Sequence, residues 1–198
     1  MTPILILAAG SSSRMGGTDK LLQDVGGQPL LARVVDQAAA TGHPVFAALP
    51  GPSHPRYAAL RDKPVICFDV PDAREGMGGT LRGAVKRLPP CAAFMVLLSD
   101  IPDLTTADLQ AVFALRKSEP DALIWRGATA EGAPGHPIIF DGTLRPEFAK
   151  LNGDSGGEPL VNPLKDRTKL VRFVDGRARN DLDTPEDWAA WRQARKGA

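Results

Sequence analysis

The chain has 198 residues, with 24 Lys+Arg against 23 Asp+Glu, a formal charge of +1, 43% hydrophobic residues and 6% aromatics. That length suits one domain with a single buried core, and a charge so near zero argues against a nucleic-acid binder or a polybasic membrane-surface protein. Gly (20) and Pro (18) together make up roughly a fifth of the chain against a usual share of about 12%, with no low-complexity tract to hold them.

The first expected element is a buried strand over Pro3–Ala8. No basic segment precedes it, and its apolar run is short for a signal sequence, so export is not expected. A Gly- and Ser-rich loop follows, Leu7-Ala8-Ala9-Gly10-Ser11-Ser12-Ser13-Arg14-Met15-Gly16-Gly17-Thr18-Asp19-Lys20. Leu30, Leu31, Val34, Val35, Ala38 and Ala39 then share one helical stripe, with Pro29 suited to the first helical position. Strands are expected at Val45–Leu49 and Val65–Asp69. Gly76-Met77-Gly78-Gly79-Thr80-Leu81 opens a helix through Leu88.

The most apolar strand is Ala92–Ser99, and its run Cys91–Leu98 falls well short of the roughly 18–20 residues that span a bilayer. Thr105 and Asp108 form a capping-box pattern ahead of Leu109, Val112 and Phe113. Strands at Ala122–Trp125, His136–Phe140 and Leu170–Val174 follow. Thr184-Pro185-Glu186-Asp187 starts a last helix, with Trp188 and Trp191 one turn apart and Arg192, Arg195 and Lys196 at the negative end of its dipole. Near-continuous apolar strands alternating with helices predict a three-layer α/β fold with a mostly parallel sheet covered on both faces. No repeat or linker interrupts residues 1–198, which read as a single domain. Cys67 and Cys91 lie in or beside strand runs without Cys/His ligand spacing, and read as buried reduced thiols of a cytosolic protein.

The glycines and prolines gather where strands end: Gly10, Gly16-Gly17, Gly76–Gly79, Gly135–Pro137 and Gly153–Gly157. Ligands of open α/β sheets bind outside the carboxyl ends of the strands, and side-chain-free turns allow the backbone to come close to them. In the first loop, backbone N–H groups and hydroxyls can wrap a polyphosphate. Arg14 offers a fork to phosphate oxygens and Lys20 a movable point charge. Neither G-x-x-x-x-G-K-[ST] nor G-x-G-x-x-G is present.

Asp100 ends the most apolar strand, on the same sheet edge as this loop. Mg²⁺ takes one or two carboxylates plus phosphate oxygens and water, so Asp100 is the expected metal ligand, with a helix start as the alternative. Asp103 reads as local turn chemistry. Asp181 and Asp183 alternate, so both carboxylates can face one site. His43, His54 and His136 are too scattered for a catalytic relay, and the first two read as surface loop residues.

LAAGSSSRMGGTDKLL, from Leu7, resembles the N-terminal signature of the MobA-like NTP transferase family, nucleotidyltransferases that attach CMP or GMP to molybdopterin. LLSDIP (97–102), GHPIIF (135–140), GDSGG (153–157) and NDLDTPEDW (180–188) extend the resemblance over nearly the whole chain. It implies a Rossmann-like nucleotidyltransferase fold with a mostly parallel mixed sheet. The implied reaction is Mg²⁺-dependent transfer of a nucleoside monophosphate from an NTP to molybdopterin, with release of pyrophosphate.

By the same resemblance Arg14 and Lys20 hold the NTP phosphates, and Leu7, Ala8, Ala9, Gly10, Ser11 and Ser12 lie against base and ribose. Gly79 and Thr80 approach the nucleotide from a second segment, Asp183 completes the metal site with Asp100, and the Gly135-His136-Pro137 and Gly153-Asp154 turns face the acceptor. Ala9, GHPIIF and DLDTPED resemble the cytidylyl branch, whereas the Arg14–Lys20 spacing resembles the guanylyl branch. CTP is therefore the favoured donor and GTP the alternative. Gly157-Glu158 stands where the cytidylyl branch has Ala-Arg, so a sugar- or alcohol-phosphate is the alternative acceptor. A non-catalytic nucleotide-binding partner of a molybdoenzyme is a third reading. The expected setting is the cytoplasm, with a molybdoenzyme or its chaperone as partner, and neither nucleic acid nor membrane.

Overall fold

The computed structural model describes residues 1–196. Its strands are β1 (Ile4–Leu7), β2 (Val45–Leu49), β3 (Ile66–Asp69), β4 (Ala93–Leu98), β5 (Ile124–Ala128), β6 (Pro134–Asp141) and β7 (Thr168–Arg172). They form one sheet in the order β3-β2-β1-β4-β6-β5-β7. Strand β6 pairs antiparallel with β4 and β5, and the other neighbouring pairs are parallel.

Alternate side chains of each strand enter opposite layers. Met95, Leu97, Trp125 and Ile139 face one core, closed by α1 (Leu30–Ala39), α4 (Thr106–Ser118) and α7 (Pro185–Lys196). Phe94, Val96, Ile124 and Phe140 face the other, closed by α3 (Met77–Arg87), α5 (Arg145–Phe148) and α6 (Glu158–Val161). Because both faces are covered, the central strands carry apolar residues at every position. The mostly parallel α/β sheet therefore follows from the pattern of the chain, and the antiparallel β6 makes it mixed, as the resemblance implied.

Helix boundaries follow local chemistry. Thr105 Oγ1 accepts from the Asp108 N–H at 3.3 Å while Asp108 Oδ2 accepts from the Thr105 N–H at 2.8 Å, a reciprocal capping box. Thr184 and Asp187 repeat it ahead of α7. Pro29 is the residue before α1 rather than its first member, with its carbonyl accepting from the Arg33 N–H. The short α2 (Pro55–Ala59) starts at His54, whose Nδ1 accepts from the Arg56 N–H.

Further expectations change, among them the bounds of β5, which runs over Ile124–Ala128 rather than Ala122–Trp125. Strand β7 begins two residues earlier than the apolar run Leu170–Val174, because it is an edge strand whose Lys169, Leu170 and Arg172 are exposed and whose burial signal is weak. Cys67 and Cys91 are free but only half-buried, Cys67 because β3 is the opposite edge. His43 lies in the loop before β2 as expected but is half-buried rather than on the surface, its ring stacked on Phe113 at 3.9 Å. Asp103 is no local turn device. It accepts from Trp191 Nε1 at 3.0 Å, from Asn180 Nδ2 at 3.0 Å and from Arg195, pinning α7 to the turn after β4.

The aromatic trio Phe94, Phe140 and Phe148 fills the second core, with ring centroids 5.0 to 5.8 Å apart. Phe148→Ala removes its edge-on member and leaves a cavity, with an expected loss of about 3–5 kcal/mol. Urea unfolding should show this as a lower midpoint at unchanged slope.

Candidate active site

Strands β1 and β4 are neighbours, but the chain runs from β1 outward to β2 and β3, then crosses back to place β4 on the other side. That reversal is the switch point at which doubly wound sheets bind ligands. The Ser99 hydroxyl ties the two strand ends together, donating to the Leu7 carbonyl at 2.6 Å. Beyond them opens a cleft of about 1180 Å³. Leu7, Ala8, Ala9, Gly10, Ser11, Ser12, Arg14, Lys20, Asp100, Asp183 and Thr80 all line it.

Lys20 occupies the centre of the charged cluster. Its ammonium donates to Asp100 Oδ2 at 2.6 Å and to Asp183 Oδ1 at 2.7 Å. Arg14 Nη1 reaches Asp183 Oδ2 at 2.8 Å from a side chain that is 68% exposed. The two carboxylates meet because the Leu182 N–H donates to the Asp100 carbonyl at 2.9 Å, hooking the C-terminal segment onto the end of β4. Burial works against the charge on Lys20, but the attraction of Asp100 and Asp183 outweighs it and holds its pKa above the ordinary value. Asp181, also on the cleft wall, is pushed up by burial and by the neighbouring Asp100 and Asp183 charges.

The donor set fits a Mg²⁺ ion. Asp100 Oδ1 is buried and has no hydrogen-bond partner, an oxygen left over beside a second carboxylate. Among the described residues no group of three or more His, Cys, Asp or Glu could hold a metal by itself. Hard two-carboxylate sites of this kind complete their shell with phosphate oxygens and water.

The first loop is shaped from below by a residue that the sequence did not single out. Arg56, in α2, is 1% exposed. Its Nη1 donates to the carbonyls of Ala8 and Gly10, both at 2.7 Å. Nη2 donates to Ser12 Oγ at 3.0 Å and Asp19 Oδ1 at 2.7 Å, and Nε to Asp19 Oδ2 at 2.8 Å. Burial raises the Asp19 pKa, but the bonds and charge of Arg56 outweigh it, leaving the carboxyl below its usual range. The one sequence signal for Arg56 is a cation set between Pro55 and the apolar Tyr57-Ala58-Ala59 of a short helix.

Two other segments divide. Thr80 is buried on the cleft wall, donating to the Gly76 carbonyl at 3.0 Å. Gly79 does not line the cleft; a Cβ there would lie 2.2 Å from the Asp72 carbonyl oxygen, so its role is close packing of α3. Asp154 reaches the cleft, whereas Gly135 and His136 do not. Gly135 instead lies under Ala178, whose carbonyl oxygen would be 2.2 Å from an added Cβ.

A family model for the MobA-like NTP transferase domain matches residues 4–169. The chain is 41% identical over 200 residues to a probable molybdenum cofactor guanylyltransferase of Synechococcus elongatus, covering 94% of this chain and 95% of that protein. It is 34% identical over 139 residues to the molybdenum cofactor guanylyltransferase of Rhodopseudomonas palustris, 69% of this chain but only 63% of that protein's length. Among solved structures, Rv0371c of Mycobacterium tuberculosis in complex with manganese superposes with a TM-score of 0.75 at 26% identity, covering 96% of each chain.

The half-buried His136, whose Nδ1 is enclosed and without a hydrogen-bond partner, makes the fold sensitive to acid. Burial, with Arg126 nearby, drives its imidazole from 6.5 down to about 3, so the folded protein keeps it neutral. The unfolded chain takes up that proton near 6.5, so this contribution is complete above 6.5 and is lost as pH falls towards 3. The slope is at most about 1.4 kcal/mol per pH unit. His136→Gln should remove this share of the slope in urea titrations between those limits.

Proposed function

The chain belongs to the MobA-like NTP transferase family, and from that premise we propose that residues 1–198 act as one nucleotidyltransferase domain. It transfers a nucleoside monophosphate from an NTP to molybdopterin and releases pyrophosphate. The observation that carries this reading is Lys20 held between Asp100 and Asp183 beneath a Gly/Ser loop, at the switch point of the sheet.

An oxygen of the acceptor phosphate attacks the α-phosphorus of the NTP in line; the new P–O bond forms as the bond to the β-phosphate oxygen breaks. The attacking phosphate is already ionised, so no general base is required. The obstacle is repulsion between anions and their orientation, which positioned positive charge overcomes. Lys20, the exposed fork of Arg14 and the backbone N–H groups of the first loop hold the triphosphate, and the Leu7–Ser12 stretch with Thr80 also lies against base and ribose. Asp100 and Asp183 would hold Mg²⁺, which supplies charge neutralisation at the phosphates. The manganese complex of Rv0371c supports a divalent ion. Of the turns expected to face the acceptor, the one carrying Asp154 reaches the cleft and is the proposed acceptor side.

CTP is the proposed donor, because Ala9 sets a methyl group at the base end of the loop where the guanylyl branch usually has glycine. GTP is the second reading, supported by the two relatives named as guanylyltransferases. Among the described residues no helix is long and apolar enough to cross a membrane. The enzyme is also proposed to work in the cytoplasm and to deliver its product to a molybdoenzyme or its chaperone.

Incubation with Mg²⁺, molybdopterin and each NTP in turn should release pyrophosphate, fastest per unit concentration with CTP. A higher kcat/KM for GTP would transfer the donor assignment to guanine, and silence with every NTP would end the reading. Asp100→Asn keeps shape but not charge, and should lower kcat/KM by about 100-fold or more while the melting temperature stays close to wild type. Sugar phosphates offered in place of molybdopterin should give no pyrophosphate.

A further inference from the structure

A guanidinium carries five N–H donors, and in Arg56 every one is used: two on Asp19, two on the carbonyls of Ala8 and Gly10, and one on Ser12 Oγ. Asp19 neutralises the buried charge. The remaining three bonds all go to the loop that lines the cleft, so they do more than make a buried pair tolerable. Ser12 takes left-handed backbone angles (φ 53°), uncommon for a residue with a side chain, and its hydroxyl is the atom that Arg56 grips.

The direction of the carbonyls matters most. In a trans peptide the C=O of one residue and the N–H of the next point opposite ways. One nitrogen of Arg56 draws the Ala8 and Gly10 carbonyls to its own side, so the N–H groups of Ala9 and Ser11 face away from it. Among the described residues, the N–H groups of Ala9, Gly10, Ser11 and Ser12 donate to no backbone acceptor. Successive free N–H groups on a concave loop attract anions.

We propose that Arg56 is the positioning residue of the nucleotide loop: by holding the Ala8 and Gly10 carbonyls from below, it turns the Ala9 and Ser11 amides into the cleft as a preformed seat for the anionic part of a nucleotide. This rests on the reading that the cleft binds an NTP. Through Asp19, the residue next to Lys20, the same guanidinium also sets where the central ammonium emerges.

Two variants test it. Arg56→Lys keeps the charge but concentrates its donors at one nitrogen, unable to span Asp19 and both carbonyls. The double variant Arg56→Met with Asp19→Met replaces the buried pair by apolar side chains, an exchange that folds tolerate. Titration calorimetry with Mg-CTP and Mg-GTP should show nucleotide Kd raised about tenfold or more in both variants, tenfold being about 1.4 kcal/mol. The acceptor KM should stay unchanged, and amide NMR should show the Ala9 and Ser11 signals displaced and their hydrogen exchange faster. Wild-type Kd in either folded variant overturns the proposal, as does a loss that disappears once the variants are compared at equal distance below their melting temperatures. If wild type binds no nucleotide, the functional reading fails. The amide signals alone then decide, and Ala9 and Ser11 resonances unmoved by Arg56→Lys overturn the positioning role.

Discussion

Three carboxylates, Asp100, Asp181 and Asp183, are brought to one edge of the sheet by a single backbone bond from Leu182 to Asp100. Such a gathering is self-repelling, and the ammonium of Lys20 makes it tenable. Lys20 is 80 residues from Asp100 and 163 from Asp183 in the chain, so one side chain joins the first loop, the central strand and the C-terminal segment. At 14% exposure it works in a medium where charge pairs count for more than at the surface. The contacts that define the cleft centre are therefore electrostatic, laid over a sheet whose position is set by apolar burial.

A loop of Gly and Ser has little rigidity of its own, and its shape comes from an adjacent residue pair facing two ways. Asp19 points inward to Arg56, and Lys20 points outward to the carboxylates. Asp19 is the extended cap ahead of a short 3-10 turn that begins at Lys20, so the backbone changes direction between the two side chains. In the inner pair Arg56 is buried, Asp19 half-buried, and every guanidinium donor is used, while the outer cluster keeps an unpartnered oxygen on Asp100. Structure and reactivity are thus divided between adjacent positions, which is why a short loop can be both fixed and available.

How much of this was legible in the sequence depended on the range of the interactions. Asp100 could be placed because it ends an uninterrupted apolar strand, and Arg14 and Lys20 because they sit in a Gly/Ser loop after another. The helix starts at Thr105 and Thr184 use partners three residues away and were equally plain, although the reciprocal box at Thr184 emerged only with the structure. Arg56 was not, since its partners lie 37 to 48 residues off and an arginine in a short helix looks like any solvated cation. Asp103 failed for the same reason, its acceptor role depending on Trp191, 88 residues away. Gly79 misled in another way. Glycine at a helix start serves close approach of a ligand or of protein backbone alike, and only packing against Asp72 separates them.

The charge of the cleft itself bears on what can enter it. The chain is nearly neutral, yet the cleft wall carries six carboxylates (Asp69, Glu75, Asp100, Asp154, Asp181 and Asp183) against three cations (Arg14, Lys20 and Arg74). Asp69 and Glu75 are answered from outside the wall by Arg87 and Arg82. Asp100, Asp154, Asp181 and Asp183 remain against Arg14, Lys20 and Arg74, and Lys20 and Arg14 are already engaged with Asp100 and Asp183. An unaccompanied triphosphate would meet a wall of its own sign, with the central cation committed elsewhere. Positive charge arriving with the nucleotide would remove that conflict, because a divalent ion held by the carboxylates would leave lysine and arginine to the phosphates. The electrostatics of the cleft thus favour a metal-nucleotide complex over the free nucleotide, on grounds separate from kinship.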